Sequence, residues 1–199
     1  MKDYHKNTVN LYLDRYKKYG PENMYSLTWG SRESQEIRFT QLLRIFNVEN
    51  KVILDAGCGW GDLYSWLISL GIELKDYHGI DLCPHNIDLA KAKNPSLNFI
   101  QGAIPEQSLP EVDITFSSGI FGFDAPQWEV VVKSMIDSMW ETSREGICFN
   151  MQVARELPNP PKGRILDPVY WLDYAFTKSW KVVLFADYLR HAFTIGVMK

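Results

Sequence analysis

The sequence feature that most constrains the fold is a short apolar run that ends in a glycine-rich turn and leads into an amphipathic segment. Val52-Ile53-Leu54 is the apolar run, and residues 55–61, Asp-Ala-Gly-Cys-Gly-Trp-Gly, follow it. Apolar side chains then recur at helical spacing, at Leu63, Trp66, Leu67 and Leu70. A strand, a tight turn and a helix in this order are typical of a parallel sheet, because parallel neighbours need a crossover connection.

The same alternation continues along the chain. Helices are predicted at 84–93 and 126–142, and strands at 77–82, 97–101, 112–117 and 146–153. Alternating strands and helices predict an α/β fold with a doubly wound, mostly parallel sheet. Two further β-rich runs, 181–185 and 192–197, have no helical pattern between them, so they can pair only as an antiparallel hairpin. We therefore expect a Rossmann-like, seven-stranded sheet with an antiparallel C-terminal hairpin strand.

Two helices are predicted ahead of this alternating part. Aromatic and apolar positions indicate a helix over 4–19 that ends at Gly20-Pro21, and a second helix over 32–47. A chain of 199 residues is short enough for a single domain. We expect residues 1–48 to form an N-terminal helical cap of that domain and residues 49–199 to form its core.

Composition and charge exclude several classes of protein. No apolar run approaches the about 18 residues of a membrane span, and no apolar segment follows Met1–Lys6, so we expect neither a membrane protein nor a signal peptide. Cys58, Cys83 and Cys148 form no C-x-x-C pair, so we expect reduced thiols in a cytoplasmic protein and no metal site. A net charge of −3 gives little support to nucleic-acid binding.

Three kinds of nucleotide-like ligand compete for the glycine-rich turn. A phosphate-binding P-loop needs a Gly-Lys pair, which the chain lacks. The dinucleotide fingerprint fits Gly57 and Gly59, but Asp62 stands at its third glycine and would repel a pyrophosphate. S-adenosylmethionine (SAM) has no phosphate. Its ammonium matches the carboxylate of Asp55, and its ribose hydroxyls match Asp81 at the end of the next strand.

These motifs resemble those of the class I SAM-dependent methyltransferases of the bacterial small-molecule type. The resemblance covers about residues 50–199 and rests on D-x-G-C-G-x-G at 55–61, Gly79-Ile80-Asp81, Asn98–Gly102 and Val112–Ser117. It implies SAM as the cofactor and S-adenosylhomocysteine (SAH) as the product. It also implies that the core residues holding the cofactor are Asp55, Gly57, Cys58, Gly59, Asp81, Leu82, Gly102, Ala103, Ile104, Ser117, Ser118 and Gly119.

The resemblance extends to a segment ahead of the core. Residues 29–35, Trp-Gly-Ser-Arg-Glu-Ser-Gln, with Arg38-Phe39 after them, look like a signature that precedes such cores in bacterial members. It implies that Trp29 packs over the cofactor and that Arg38 meets the cofactor's carboxylate. Two positions depart from the family: Ala103 stands where many members carry an acid for the adenine amino group, and Ala192 stands where the tail usually has an acid.

The reaction that the resemblance implies is methyl transfer to an oxygen, nitrogen or other nucleophile of a small molecule or a peptide end. Alignment and proximity supply most of the catalysis in such a transfer. His191, before the last strand, and Glu156, after the fifth, are the candidate bases. Substrate is expected to enter beside the short additions to the core, residues 1–48 and the loop 154–168.

Two other functions stay open. A non-catalytic SAM-fold binding or scaffold protein is one, because the departures at Ala103 and Ala192 could reflect lost turnover. A nicotinamide-dependent oxidoreductase is the other, and Asp62 in the turn counts against it. No nucleic-acid or membrane partner is expected, and the pattern does not define an oligomeric state.

Aromatic residues make up 14% of the chain and must fill either the core or a pocket. Three of the seven tryptophans are expected to pack against the sheet or within the hairpin: Trp66, Trp140 and Trp180. The other four are expected to line one pocket at the strand ends: Trp29, Trp60, Trp128 and Trp171.

Overall fold

A computed structural model describes residues 2–123, 125–159 and 162–199, and within them it contains one seven-stranded sheet. The strands are β1 (Val52–Ala56), β2 (Asp76–Asp81), β3 (Asn98–Gln101), β4 (Val112–Ser117), β5 (Ser143–Gln152), β6 (Val182–Phe185) and β7 (Ala192–Met198). The helices are α1 (Lys2–Tyr19), α2 (Arg32–Leu43), α3 (Asp62–Ser69), α4 (Pro84–Lys93), α5 (Trp128–Thr142) and α6 (Pro168–Phe176). Among these helices none has the length and apolar character needed to cross a membrane.

The strand order is β3-β2-β1-β4-β5-β7-β6. Strands β1 to β5 pair in parallel, and β7 runs antiparallel to both of its neighbours, β5 and β6. The predicted Rossmann-like sheet with an antiparallel C-terminal hairpin strand is therefore confirmed. Strands β2 and β3 lie on one side of β1, and β4 lies on the other, so the strand order reverses between β1 and β4. Ligands of such sheets bind in the crevice at this reversal.

Two apolar layers cover the two faces of the sheet. Helices α2, α3 and α4 enclose one layer around Leu42, Leu67 and Tyr77, which are fully buried. Helices α5 and α6 enclose the other layer, around Ile136 and Trp171. The helices therefore hold the carboxyl ends of β1, β2 and β4 at one edge of a rigid sheet.

Local signals explain where the elements begin and end. Helix α4 begins with Pro84 at its first turn, as predicted, because proline needs no hydrogen bond for its missing N–H there. Helix α1 ends at Tyr19, and Gly20 after it has a φ of +84°, which suits a residue without Cβ. Helix α2 ends at Leu43, four residues before the predicted end at 47.

Helix α6 lies in a part of the chain for which no helix was predicted. Asp167 caps it by accepting a hydrogen bond from the Val169 N–H at 2.9 Å, and Pro168 occupies its first turn. Both are ordinary helix-start signals in the sequence. The loop before it, 154–168, was predicted as an access loop, and residues 160 and 161 of that loop lie outside the described part of the chain.

The structure corrects most of the predicted roles of the tryptophans. Trp128 and Trp171 do not line the pocket at the strand ends; they are buried in the core between α5 and α6, edge to face with ring centroids 5.8 Å apart. Trp60 is also buried, against α1 and away from the pocket. Trp180 was expected to pack, yet it is 81% exposed. Trp128 and Trp171 lie on α5 and α6, and the sequence alone does not define how these helices face each other.

Replacing Trp171 by alanine is expected to lower the free energy of unfolding by about 3–5 kcal/mol, because it opens a large cavity in the core. Trp180→Ala is the matched control, and its effect is expected to stay within about 0.5 kcal/mol because its ring is exposed. Guanidinium unfolding followed by circular dichroism measures both values. Equal destabilisation by the two substitutions would contradict the described core.

Candidate active site

The glycine-rich turn after β1 is held against the end of β2. The N–H groups of Gly57 and Cys58 donate to the Ile80 carbonyl oxygen at 2.7 and 3.0 Å. Gly57 has a φ of +82°, and a Cβ on it would lie 1.8 Å from Cγ2 of Ile120. Glycine is therefore required at Gly57 both for the backbone conformation and for the close approach of the loop after β4.

The carboxylate of Asp81 ties this turn to the following helix. One of its oxygens accepts the Gly59 N–H at 2.9 Å. The other accepts the Cys83 N–H at 2.8 Å and the side-chain amide of Asn86 at 3.0 Å. Because these three donors come from the turn, the β2–α4 connection and α4, Asp81 has one defined orientation at the end of β2.

A hydrogen-bond relay connects this carboxylate to the N-terminal helix. The indole N–H of Trp60 donates to the hydroxyl oxygen of Tyr16 on α1. The Tyr16 hydroxyl donates to Oδ1 of Asn86 at 2.6 Å, and the Asn86 amide donates to Asp81. Since every member is wholly or partly buried, the docking of α1 and the position of Asp81 depend on each other.

Asp55, at the end of β1, is 4% exposed and has few compensating contacts. The Tyr77 hydroxyl donates to one of its oxygens at 2.5 Å. Burial raises the pKa of the Asp55 carboxyl to about 7, and the hydrogen bond from Tyr77 lowers it only in part. A cation beside this carboxyl would hold it ionised, so Asp55 is suited to a positively charged ligand.

A first cavity opens at the carboxyl ends of β1, β2 and β4 and holds about 880 Å³ of empty space, including its open mouth. Three carboxylates line it, those of Asp55, Asp62 and Asp81, and no Lys, Arg or His is among its described lining residues. The cavity therefore favours a ligand with net positive charge and disfavours a pyrophosphate.

Most of the residues that were predicted to hold the cofactor lie around this first cavity. Those that line it are Trp29, Asp55, Gly57, Cys58, Gly59, Asp81, Leu82, Gly102, Ala103, Ile104, Ser118 and Gly119. Two others lie elsewhere. The side chain of Ser117 is buried within the sheet and its hydroxyl has no described partner, and Arg38 lines a neighbouring cavity.

That second cavity adjoins the first and shares Trp29, Gly119 and Ile120 with it. Both Arg38 and His191 line it, and an N–H of Arg38 meets Nε2 of His191 at 3.1 Å. Since a guanidinium can only donate, Nε2 must accept and the imidazole is neutral. Burial, and secondarily the charge of Arg38, lowers the pKa of His191.

Glu156 lines neither cavity. Its carboxylate lies 3.0 Å from the guanidinium of Arg190 and 3.8 Å from that of Arg155. The arginine side chains are 89% and 82% exposed, so these are surface ion pairs. Glu156 thus pairs with the residue next to His191 in the sequence, but it does not line the cavity that His191 lines.

Several residues at the two cavities were not predicted to act there. Thr8 and Tyr12 of α1 line both cavities, and Gln35 donates to Asp62 at 3.1 Å. Asn150 of β5 accepts the Gly119 N–H at 3.1 Å and donates to the Ser118 hydroxyl at 2.9 Å. A polar residue inside the apolar run of β5 is a sequence signal that could have identified Asn150. No such signal marks Thr8, and Gln35 belongs to the segment 29–35 that resembles the family but was given no role of its own.

Comparison with known proteins agrees with this architecture. Residues 53–140 match a family described as "Methyltransferase domain". No curated protein is similar enough in sequence to match the chain.

Solved structures with the same fold cover almost the whole chain. Magnesium protoporphyrin IX methyltransferase from Synechocystis, solved with bound SAM, is 12% identical, has a TM-score of 0.69, and the match covers 98% of this chain and 97% of that one. A TehB-like SAM-dependent methyltransferase from Corynebacterium glutamicum is 19% identical over 98% and 100% of the chains, with a TM-score of 0.63. A SAM-dependent methyltransferase from Aquifex aeolicus is 14% identical over 94% and 97%, with a TM-score of 0.62.

These neighbours share the fold, and the family match assigns residues 53–140 to the methyltransferase domain. Residues 53–140 therefore match a methyltransferase domain, in a chain with the fold of the SAM-dependent methyltransferases, and SAM is the cofactor that this domain and its structural neighbours support. The first cavity fits SAM on chemical grounds. A sulfonium and an ammonium outweigh the single carboxylate of this ligand, and three aspartates line the cavity, of which Asp62 also lies 3.7 Å from the guanidinium of Arg32.

Tyr16→Phe is expected to weaken SAH binding by about three- to tenfold, because it leaves the Trp60 N–H and Asn86 Oδ1 without their partner and frees Asn86 from Asp81. Tyr19→Phe makes the same change one turn further along α1, away from the relay, and is expected to bind SAH like the wild type. Isothermal titration calorimetry measures both affinities. Equal affinity of the two variants would show that the relay does not position Asp81.

Proposed function

We propose that this methyltransferase transfers the methyl group of SAM to an oxygen, nitrogen or other nucleophile of a small molecule or an exposed peptide end. The observation that carries the proposal is the adjacency of two cavities that share Trp29, Gly119 and Ile120. A donor in the first cavity and an acceptor in the second meet at the carboxyl end of β4. Proximity and orientation of this kind supply a large part of the rate enhancement of a two-substrate transfer.

In this proposal the cofactor is held by side chains and backbone of the first cavity. Asp55 binds the ammonium, the turn at Gly57 and Gly59 binds the methionine part, and Asp81 binds the ribose. Leu82, Gly102, Ala103 and Ile104 line the adenine site, and Cys58, Ser118, Gly119 and Trp29 complete the enclosure. When bound, SAM supplies a sulfonium-linked methyl group that a nucleophile displaces in line.

The chain's own contribution is mainly to hold geometry and to exclude water. Asn150 fixes the backbone at Gly119 and the Ser118 side chain through its two hydrogen bonds. Helix α1 covers the cavities with Thr8 and Tyr12, and its Tyr4 ring stacks on Phe123 at 4.8 Å between centroids. These contacts support catalysis by alignment, with residues 1–48 as a cap on the core formed by 49–199.

Proton removal by a protein base has less support. The basic nitrogen of His191 already accepts a hydrogen bond from Arg38, and a proton added there would face the guanidinium charge. Glu156 lies outside both cavities among surface arginines. We therefore propose an acceptor that is nucleophilic at neutral pH or that loses its proton to water as the methyl group is transferred.

The enclosed lining of the second cavity supports a small-molecule acceptor, and it gives no support to nucleic acid as the substrate. The three cysteines are free and buried, which agrees with a reducing compartment. We propose a cytoplasmic location on this ground.

The wild-type protein is expected to bind SAH and not NADH. At a ligand concentration about a hundredfold above Kd, one-site binding stabilises the folded state by about 2.7 kcal/mol, which thermal unfolding detects readily. Asp81→Asn is expected to reduce the shift, because it removes the charged acceptor of the ribose hydroxyls. Stabilisation by NADH alone would refute the proposal, and SAH binding without methyl transfer from labelled SAM to any metabolite would favour a binding protein.

The affinity for SAH is expected to depend on pH through Asp55. A proton on this carboxyl removes the negative charge that attracts the ligand's ammonium. Because its pKa is raised to about 7, affinity rises with pH and levels off above that value. Below it, affinity falls by about tenfold for each pH unit.

Calorimetric titrations with SAH at several pH values between about 5 and 8 test this dependence. Asp55→Asn is the control, and it is expected to bind weakly with a flat pH profile. A flat profile in the wild type, or the same slope in Asp55→Asn, would contradict the role of Asp55.

A further inference from the structure

The second cavity contains a buried guanidinium that has no acidic partner. Arg38 is 7% exposed. Its N–H groups donate to the Ser34 carbonyl and hydroxyl oxygens at 2.5 and 2.6 Å and to His191 at 3.1 Å. Its charge also lies 5.4 Å from the centroid of the Trp29 ring. All these partners are neutral, and in the described part of the chain no carboxylate lies within ion-pair distance of Arg38.

A buried guanidinium without an acidic partner is energetically unfavourable unless a ligand supplies the opposite charge. Charged side chains are almost never buried without a partner of opposite charge, since the loss of hydration is costly. Burial lowers the pKa of Arg38, in keeping with a charge that the protein itself does not neutralise. The neighbouring His191 adds no negative charge, because its accepting nitrogen requires the neutral imidazole.

The two cavities differ in charge. All three carboxylates are in the first cavity, whereas the described lining of the second contains no Asp or Glu and has Arg38 as its charged group. The remaining polar groups of the second cavity are neutral hydrogen-bonding side chains, including Ser34 and Asn150. The first cavity therefore suits a cationic ligand, and the second suits an anion.

We propose that the methyl acceptor is a small acid whose anionic group, a carboxylate or a phosphate, pairs with Arg38 in the second cavity. The inference rests on the proposed function, because it assigns the first cavity to SAM. Arg38 then acts as a substrate-binding residue, and not as the partner of the cofactor's carboxylate that the sequence resemblance implied. Its guanidinium can bind either anion through two parallel hydrogen bonds.

His191 acquires a defined role in this arrangement. By accepting one N–H of Arg38, together with Ser34, it fixes the orientation of the guanidinium. Trp29 lies beside the charge and is also shared with the first cavity, where its ring lies over Gly119. An acid held by Arg38 is thereby placed next to the end of β4, where the acceptor must meet the methyl donor.

The test uses the protein saturated with SAH, two matched acid–amide pairs of probes and one phosphate ester. The probes are 4-hydroxybenzoate, 4-hydroxybenzamide and phenyl phosphate, together with succinate and succinamide as an aliphatic acid and amide. Binding is measured by calorimetry and thermal unfolding for the wild type, Arg38→Gln, Arg38→Lys and Arg44→Gln. Arg44 is the control, since it lies at the end of the same helix, pairs with Asp187 on the surface and lines neither cavity.

At least one acid is expected to bind the wild type about tenfold or more tightly than its amide, because only the acid completes the ion pair. Arg38→Gln is expected to abolish that preference while SAH affinity stays within about twofold, and Arg38→Lys to restore part of it. Arg44→Gln is expected to behave like the wild type. The comparison of carboxylate with phosphate probes decides which anion the site prefers.

Two results would overturn the inference. One is a loss of about tenfold or more in SAH affinity in Arg38→Gln, which would assign the arginine to the cofactor's carboxylate. The other is a wild type that binds no acid of the panel more tightly than its amide. Failure of the wild type to bind SAH at all would instead refute the proposed function, so the two failures are distinguishable.

Discussion

The site depends on the three hydrogen bonds that converge on Asp81. They come from the glycine turn, from the start of α4 and from Asn86, and the last of these continues through Tyr16 to α1. One carboxylate at a strand end thus fixes the relative positions of a turn, a helix and the N-terminal cap. Burial disfavours the charged form of Asp81. The pKa of this carboxyl is therefore raised, although the three hydrogen bonds lower it in part.

The parts of this arrangement that are local in sequence could be predicted. Helix α4 was predicted with its observed bounds because Pro84 marks its start. The turn around Gly57 was predicted because the glycines that its backbone conformation requires stand close together in the sequence. Asp81 was predicted as the acid at the end of the second strand, and the structure does end β2 at this residue.

The parts that were missed depend on how distant elements pack. Tyr16 and Asn86 are 70 positions apart, and no single-sequence pattern reveals that a hydroxyl of α1 meets an amide of α4. Trp171 and Trp180 are close in the chain, yet one is buried and the other exposed. Helix α6 carries Asp167 and Pro168 as start signals, but its orientation, which buries Trp171, is set by contact with α5. Arg38 was predicted to meet the cofactor, but the cavity that it lines could be assigned only from the packing of α2 against the start of β7.

The acidic lining of the first cavity has a consequence for turnover. Methyl transfer converts the sulfonium of SAM into a neutral thioether, so the product carries one positive charge fewer than the donor. The aspartates at the ends of β1 and β2 and at the start of α3 attract the donor more strongly than the spent form. With SAM bound in this cavity, as proposed, the acidic lining would favour exchange of SAH for SAM after each cycle and so weaken inhibition by the product.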